Sequence, residues 1–485
     1  MVYDRIPAIP ATGIRHGGSE MQKRQWFEPE NKKFLQLFWP ILVEQGLTIL
    51  VGVFSTILVS NVGDYAVAGV NLVDSINNMI IIFFNALAAG ATVVVAQRIG
   101  ARRNQEAGET AAQAIVLVVG IAVAVGLAAV IFASPILHGL YGKSAANVLQ
   151  MGQVYMYFSG ASYAFLGLFS VCAGVTRAAG NSKTPMLGAF IANIVNITVA
   201  TILIYIFHMG IYAVAIAMLA ARISAAVFML FAVRREAEGS LVLPKIRLKL
   251  NMALIRPILD IGIPSGVDSL IFQGAKVVVA VLLSGMGTAA MQANAIVGSL
   301  SSFYSLPGNA FAIVGVTVVG QSYGARMYQQ TKKLMRKMCI YSSIVMTALI
   351  IPFLLLLDPM IASYGPSAES AATAKLILTI CLLLNPLLYP TAFVLPQTLR
   401  AVGDARKTMM ISIISLFSLR LFGSWFLGIK LGYGVLGLWL SMFADWGGRT
   451  VGFVYRMERN LWHNGQEPVD EGVLNPLTGK SISED

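Results

Sequence analysis

The sequence predicts an all-α polytopic membrane protein of about twelve transmembrane helices in two six-helix bundles. Three observations predict it: a composition too apolar for water, charges gathered between apolar blocks, and a repeat that carries the first half onto the second. Of 485 residues, 56% are hydrophobic and 12% charged, and mean hydropathy is +0.72. A soluble chain carries roughly twice that charged fraction. The apolar blocks run about 20 residues, the length a helix needs to cross a bilayer core. Strands of a membrane β-barrel alternate over about 10 residues; these blocks are longer and uniformly apolar.

The blocks place spans near 34–60, 69–97, 112–136, 150–175, 185–207, 211–233, 253–284, 292–321, 336–357, 372–398, 409–429 and 434–455. The joints between them alternate in charge. One set is basic: Arg98, Arg102 and Arg103; Arg177 and Lys183; Arg234, Arg235, Lys245, Arg247, Lys249 and Arg256; Arg326, Lys332, Lys333, Arg336 and Lys337; Arg400, Arg406 and Lys407. The other set holds only Lys143 and Lys430. Cytoplasmic loops accumulate Lys and Arg, so the basic set is expected inside, and an even number of spans puts both termini there too. The +12 net charge is then a topology signal, not a nucleic-acid footprint. The expected location is the bacterial cytoplasmic membrane, multi-pass. Residues 1–30 hold no apolar core of signal-peptide length. The expected organisation is a tail at 1–33, a lobe at 34–233, a linker at 234–252, a lobe at 253–458 and a tail at 459–485. Cys172, Cys339 and Cys381 have no metal or redox spacing and read as packing residues.

The repeat has one register. Pro40 matches Pro264, Glu44 matches Asp268, Ser60 matches Ser284, Gly63 matches Gly287 and Gly210 matches Gly434, all at one constant offset. Val94–Arg102 matches Val318–Arg326 at the same offset, and Arg177–Gly180 matches Arg400–Gly403 one position short of it. Chance recurrence of Ala, Val and Gly does not supply matched Pro, Gln, Arg and acids. Six spans separate the copies, so the halves share one orientation and are expected to be related by a pseudo-two-fold axis along the membrane normal. A cleft between such halves opens to one side and then the other as they rock.

The motifs also resemble a known family. The run Gly174 to Met186 is similar to an Arg-Ala-x-Gly-Asp/Asn-x-Lys/Arg-x-Pro loop, and Gln397 to Asp404 repeats it. The Val94–Arg102 and Val318–Arg326 runs resemble apolar-Gln/Arg-x-x-Gly-Ala loops, and Ala444 to Arg449 an Asp-Trp-x-x-Arg helix. Together, from about 34 to 462, they resemble the multidrug and toxic compound extrusion (MATE) transporters, including the bacterial DinF-like branch. The resemblance implies expulsion of organic, often cationic compounds in exchange for Na⁺ or H⁺. The partners expected are a small organic substrate and the lipid bilayer, with no cofactor beyond the coupling ion, in a monomer. The chain departs from the family's pattern in two places. Its Ser55–Ser60 run lacks the usual acid of span 1, and Ala200 stands where Asn-x-x-x-Asp would put one after Asn196. Coupling then falls to Glu44 or to the second half, or the role has drifted.

The loop motifs have a physical reading of their own. Gly180 and Gly403 allow turns at positive φ, and the adjacent Arg and Lys sit at the anionic inner leaflet, so these residues read as architecture.

An ionisable side chain inside a membrane costs at least about 2.5–3.5 kcal/mol on insertion scales, so each needs a reason. Glu44 and Asp268 occupy equivalent places in spans 1 and 7. Facing a cleft, they would attract a cation or exchange a proton; the bland reading is a lock formed with Lys276. Lys276 lies eight residues beyond Asp268 and about 80° round the helix, with Gln273 between them; at the cavity it would favour anionic or zwitterionic cargo. Asn85, and Asn193 with Asn196, are further binding candidates or interhelical glue. Asp74, Asn77 and Asn78 lie near the outer end of span 2, and Arg222, Arg420, Asp445 and Arg449 read as structural pairs or interface anchors. The second reading is a flippase of the same superfamily for lipid-linked saccharides or cell-wall precursors, which needs a cationic groove. An enzyme fits poorly: His16, His138, His208 and His463 fall in tails or loops, without metal-ligand spacing, and no nucleotide-binding Gly-Lys-Ser/Thr loop is present.

Overall fold

The computed structural model describes residues 30–142, 144–236 and 250–462. Most of the expected tails and of the expected linker lies outside the described residues. The elements among the described residues are all helical, as lipid requires: a backbone with no water beside it must close its hydrogen bonds within the segment.

Twelve spans follow in order. The first lobe holds span 1 (Glu30–Ser60), span 2 (Asp64–Gly100), span 3 (Asn104–Ile131), span 4 (Ala146–Ala178), span 5 (Lys183–Tyr205) and span 6 (Ile211–Glu236). The second holds span 7 (Met252–Ser284), span 8 (Thr288–Tyr304 and Leu306–Gly324), span 9 (Tyr328–Ala348 and Ile350–Ala362), span 10 (Ala368–Ala401), span 11 (Ala405–Lys430) and span 12 (Gly434–Glu458). Nine of the described helices are long and apolar enough to cross a membrane, and eleven when each bent pair counts as one span. Span 12 carries Asp445 and Arg449 within its length.

Three spans differ from the sequence expectation. Span 3 stops at Ile131, and a short helix, Ala133–Tyr141, continues past the break. Span 8 bends by 46° at Ser305 and span 9 by 47° at Leu349. Pro307 and Pro352 follow these breaks, and a proline has no N–H for the carbonyl four residues back. Spans 10 and 11 contain π-helical turns at Pro390–Val394, Leu416–Leu421 and Ser424–Lys430.

Leu37–Pro468 forms one compact unit, and within it the repeat is written into the backbone. Gly180 and Gly403 take φ of 90° and 92°, and Arg102 and Arg326 both take 60°. Each lobe has its own apolar core, around Phe84, Met156 and Tyr163 in the first and Tyr304, Met346 and Trp446 in the second.

The lobes meet near the ends that carry the basic loops. Span 2 crosses span 7 where Gly90 faces Ile258; a Cβ on Gly90 would lie 2.5 Å from the Ile258 carbonyl oxygen. The pseudo-equivalent crossing, span 1 on span 8, is filled by two rings, Phe38 and Phe311, with centroids 4.5 Å apart. Their equivalents are Gly262 and Leu87, which let spans 7 and 2 approach more closely.

Candidate functional site

Glu44 lies inside span 1, 5% exposed. Arg177, in the last turn of span 4, donates to its Oε1 in a buried ion pair. Asp268 of span 7 is bonded in the same way by Arg400 near the end of span 10. Both members of each pair recur in the repeat, so the second pair is the image of the first. Neither acid meets Lys276, and the two acids sit in different lobes. The pairs are incompletely satisfied: Glu44 Oε2, Arg177 Nε and Arg400 Nε are buried without a hydrogen-bond partner.

Each arginine is followed by a carbonyl that bonds the other lobe. Gln321 of span 8 donates to the Ala178 carbonyl at 2.7 Å, and Gln97 of span 2 donates to the Ala401 carbonyl at 2.7 Å. A glycine three residues beyond each glutamine allows the approach: a Cβ on Gly100 would overlap the Gln321 carbonyl oxygen, and one on Gly324 that of Gln97. The result is a reciprocal clasp, with glutamine and glycine from one lobe gripping the helix end of the other. It lies on the basic-loop side, one residue from each acid–arginine pair.

The remaining candidates are dispersed. Lys276 is exposed, with Nζ 5.1 Å from the Phe272 ring centroid. Gln273 and Asn196 are half-buried. Asn85 accepts from Ser170 at 3.1 Å, and Asn193 donates to the Leu47 carbonyl of span 1 at 3.1 Å. Both are interhelical bonds. In the first lobe Asn77 joins Asp74 (3.0 Å), Ser159 (3.2 Å) and Tyr163 (2.7 Å), while Arg222 donates to Ser162 at 2.6 Å. An apolar cavity of about 510 Å³ near Ile76, Val125 and Met156 contains none of these candidates.

A model of the MatE family matches residues 40–202 and 264–426. The two matched stretches begin at the paired prolines, Pro40 and Pro264, and so stand in the register of the internal repeat. The chain belongs to the MATE family. Among curated relatives, this MATE chain is 26% identical over 441 residues to the "Uncharacterized transporter YisQ" of Bacillus subtilis, covering 90% of the chain and 96% of the relative. It is 23% identical over 422 residues to the "Probable multidrug resistance protein NorM" of Thermotoga maritima, covering 85% and 89%. Its fold matches a solved "MATE in the bent conformation" with a TM-score of 0.83 at 17% identity, covering 91% of this chain and 98% of that one. It also matches the "Outward-facing conformation of a multidrug resistance MATE family transporter" with a TM-score of 0.80 at 18% identity, covering 89% and 96%.

Sequence reasoning about this MATE protein treated Arg177 and Arg400 as loop architecture and missed them as partners of the acids. A signal was available. An acid and an arginine that both recur in the repeat are candidates to meet, because duplication copies a pair as a unit. The clasp was legible only as matched glutamines; that they cross between lobes has no one-dimensional signature.

Proposed function

We propose that this MATE protein is a secondary active exporter of organic compounds, driven by exchange for Na⁺ or H⁺ and working by alternating access between its lobes. The observation that carries the reading is the junction at Arg177–Ala178 and Arg400–Ala401, where a buried acid and an inter-lobe bond converge on adjacent residues. A coupling ion that competes with the arginine for Glu44 or Asp268 weakens the hold on that arginine. The helix end is then free to shift, and the carbonyl it presents to the opposite lobe shifts with it.

Magnitudes support such a switch. One hydrogen bond contributes about 0.5–1.5 kcal/mol net, so the two clasp bonds together hold the lobes by roughly 1–3 kcal/mol. A single charge crossing 100 mV gains about 2.3 kcal/mol. The two clasp bonds are thus of the same order as the energy that one coupling charge supplies. In this reading the clasped side is cytoplasmic, both termini are cytoplasmic, and the protein works as a monomer in the bacterial cytoplasmic membrane. The cationic charge expected of the cargo rests on the family resemblance and on Glu44 and Asp268; both acids are occupied by arginines, so they do not by themselves specify a cation.

The test is efflux of fluorescent organic ions from proteoliposomes under separately imposed Na⁺ and proton gradients, with Glu44→Gln and Asp268→Asn variants. One gradient should drive uphill flux, and at least one variant should abolish it while still inserting. Normal pumping by both variants removes the coupling role, and flux that only runs downhill removes the antiporter reading.

A further inference from the structure

The acid–arginine pairs and the clasp occur once in each lobe. A second group of intramembrane charges occurs only in the second lobe. There the Phe272 ring is approached by three cations: Arg420 Cζ at 5.0 Å from the centroid, Lys276 Nζ at 5.1 Å and Arg449 Cζ at 5.5 Å. Arg449 Nε is bonded to Asp445 at 3.0 Å. Arg420 is 8% exposed and makes no ion pair among the described residues, and its Nη1 is buried without a partner, as is Arg449 Nη2. Asp445, Arg449 and Lys276 are the charges within its electrostatic reach. Three cations therefore share one carboxylate.

The repeat isolates this cluster. The positions one repeat earlier than Phe272, Lys276, Arg420, Asp445 and Arg449 hold Thr48, Gly52, Asn196, Ala221 and Ala225, none of them charged. The set is therefore not copied in the first half. The helix around it is also altered. Arg420 lies in the π-helical stretch Leu416–Leu421, whereas the equivalent span 5 is α-helical from Lys183 to Tyr205. Single π-helical turns concentrate at functional sites. Aromatic side chains continue from Phe272 to Phe393 (6.2 Å between centroids), and from Phe393 to Tyr389 (4.7 Å) and Trp446 (5.1 Å). Trp446 Nε1 is a further buried donor without a partner.

We propose that this cluster is a binding site for an organic oxyanion: a carboxylate, sulfonate or phosphate ester attached to an aromatic body. Arg420 and Arg449 meet the charged oxygens through their free N–H groups, a fork that suits planar and tetrahedral oxyanions. The half-buried rings of Phe272 and Phe393 take the aromatic body, and Lys276 adds positive potential at the exposed edge. Buried guanidinium N–H groups without a hydrogen-bond partner are costly, and a bound anion offsets that cost. A cation would meet three like charges around Phe272. The inference deepens the exporter reading by naming the substrate class and depends on that reading only for transport; binding is tested separately.

The experiment is calorimetric titration of the full-length protein in phosphatidylcholine nanodiscs with naphthalene-2-sulfonate and, for comparison, a naphthylmethyl-trimethylammonium cation. The sulfonate should bind and the cation should not compete with it. Arg420→Gln should weaken the sulfonate about tenfold or more, the scale of a lost charge-assisted bond. Lys276→Gln, at an exposed position and expected to fold, should weaken it about threefold. Preference for the cation, or a sulfonate affinity unchanged by Lys276→Gln and by Arg420→Gln or Phe272→Leu, overturns the site. Nanodiscs of phosphatidylglycerol separate two sources: competition by that lipid identifies a headgroup as the occupant, and unchanged affinity identifies a soluble anion, both supporting an oxyanion site. Sulfonate binding without gradient-driven efflux sinks the exporter reading alone, and gradient-driven cation efflux without sulfonate binding sinks this site alone.

Discussion

Glu44 and Arg177 are 133 residues apart in the chain and form a buried ion pair between spans 1 and 4. The Asp268–Arg400 pair repeats it in the second lobe. Removing one member of a buried pair strands the other charge, at a cost of about 3–5 kcal/mol, whereas removing both often costs far less. Arg177→Ala and Arg400→Ala should each lower the melting temperature in detergent markedly. Glu44→Gln combined with Arg177→Gln should recover much of that loss. Simple addition of the single effects in the double variant would show that the pair is not coupled.

The glutamine clasp should report on the balance between the lobes more than on folding. Gln97→Ala and Gln321→Ala each remove one inter-lobe bond, worth about 1 kcal/mol or a roughly fivefold change in population. Ala401 and Ala178 are fully buried. A cysteine introduced at Ala401 should react faster with a thiol reagent in the Gln97→Ala background, with little change in melting temperature.

Substitution of the clasp glycines should act more strongly. Gly100→Ala and Gly324→Ala each drive a methyl into the opposite lobe's backbone, whereas Gly120 has nothing within 4 Å of an added Cβ. Spin labels on the basic-loop side of the two lobes should move apart in Gly100→Ala and Gly324→Ala, and stay where they are in Gly120→Ala.

Asp404 lies in the turn between spans 10 and 11, bonded to Arg456 at 2.7 Å. Burial raises its pKa above the ordinary aspartate value, and the Arg456 hydrogen bond only partly offsets this. For a raised acid the stabilising contribution belongs to the protonated form: it is complete below the unfolded pKa and lost as pH rises through the folded one. At neutral pH the ionised Asp404 therefore costs stability. The equivalent position in the first lobe is Asn181, whose Oδ1 accepts from the Lys183 and Thr184 backbone N–H groups. Asp404→Asn should melt at or above the wild-type temperature at neutral pH, and the difference should close as pH falls below the ordinary aspartate range. A lower melting temperature at neutral pH would mean that the Arg456 bond outweighs burial.

What the sequence determined by itself was set by the solvent. Lipid demands long apolar runs and confines charge to their ends, so the spans and the alternation of basic joints were legible. The duplication register was equally legible: the offset that carries Glu44 onto Asp268 also carries one family-matched stretch onto the other. Pro307 and Pro352 were visible too, but whether a proline bends a helix depends on what packs beside it. Only the tertiary structure decided which faces meet. Glu44 found Arg177 instead of Lys276, Gln97 reached across to Ala401, and Arg420 came to rest on Phe272. Each of these contacts joins residues far apart in the chain, and their proximity depends on helix rotation and crossing, which a pattern of apolar runs does not encode.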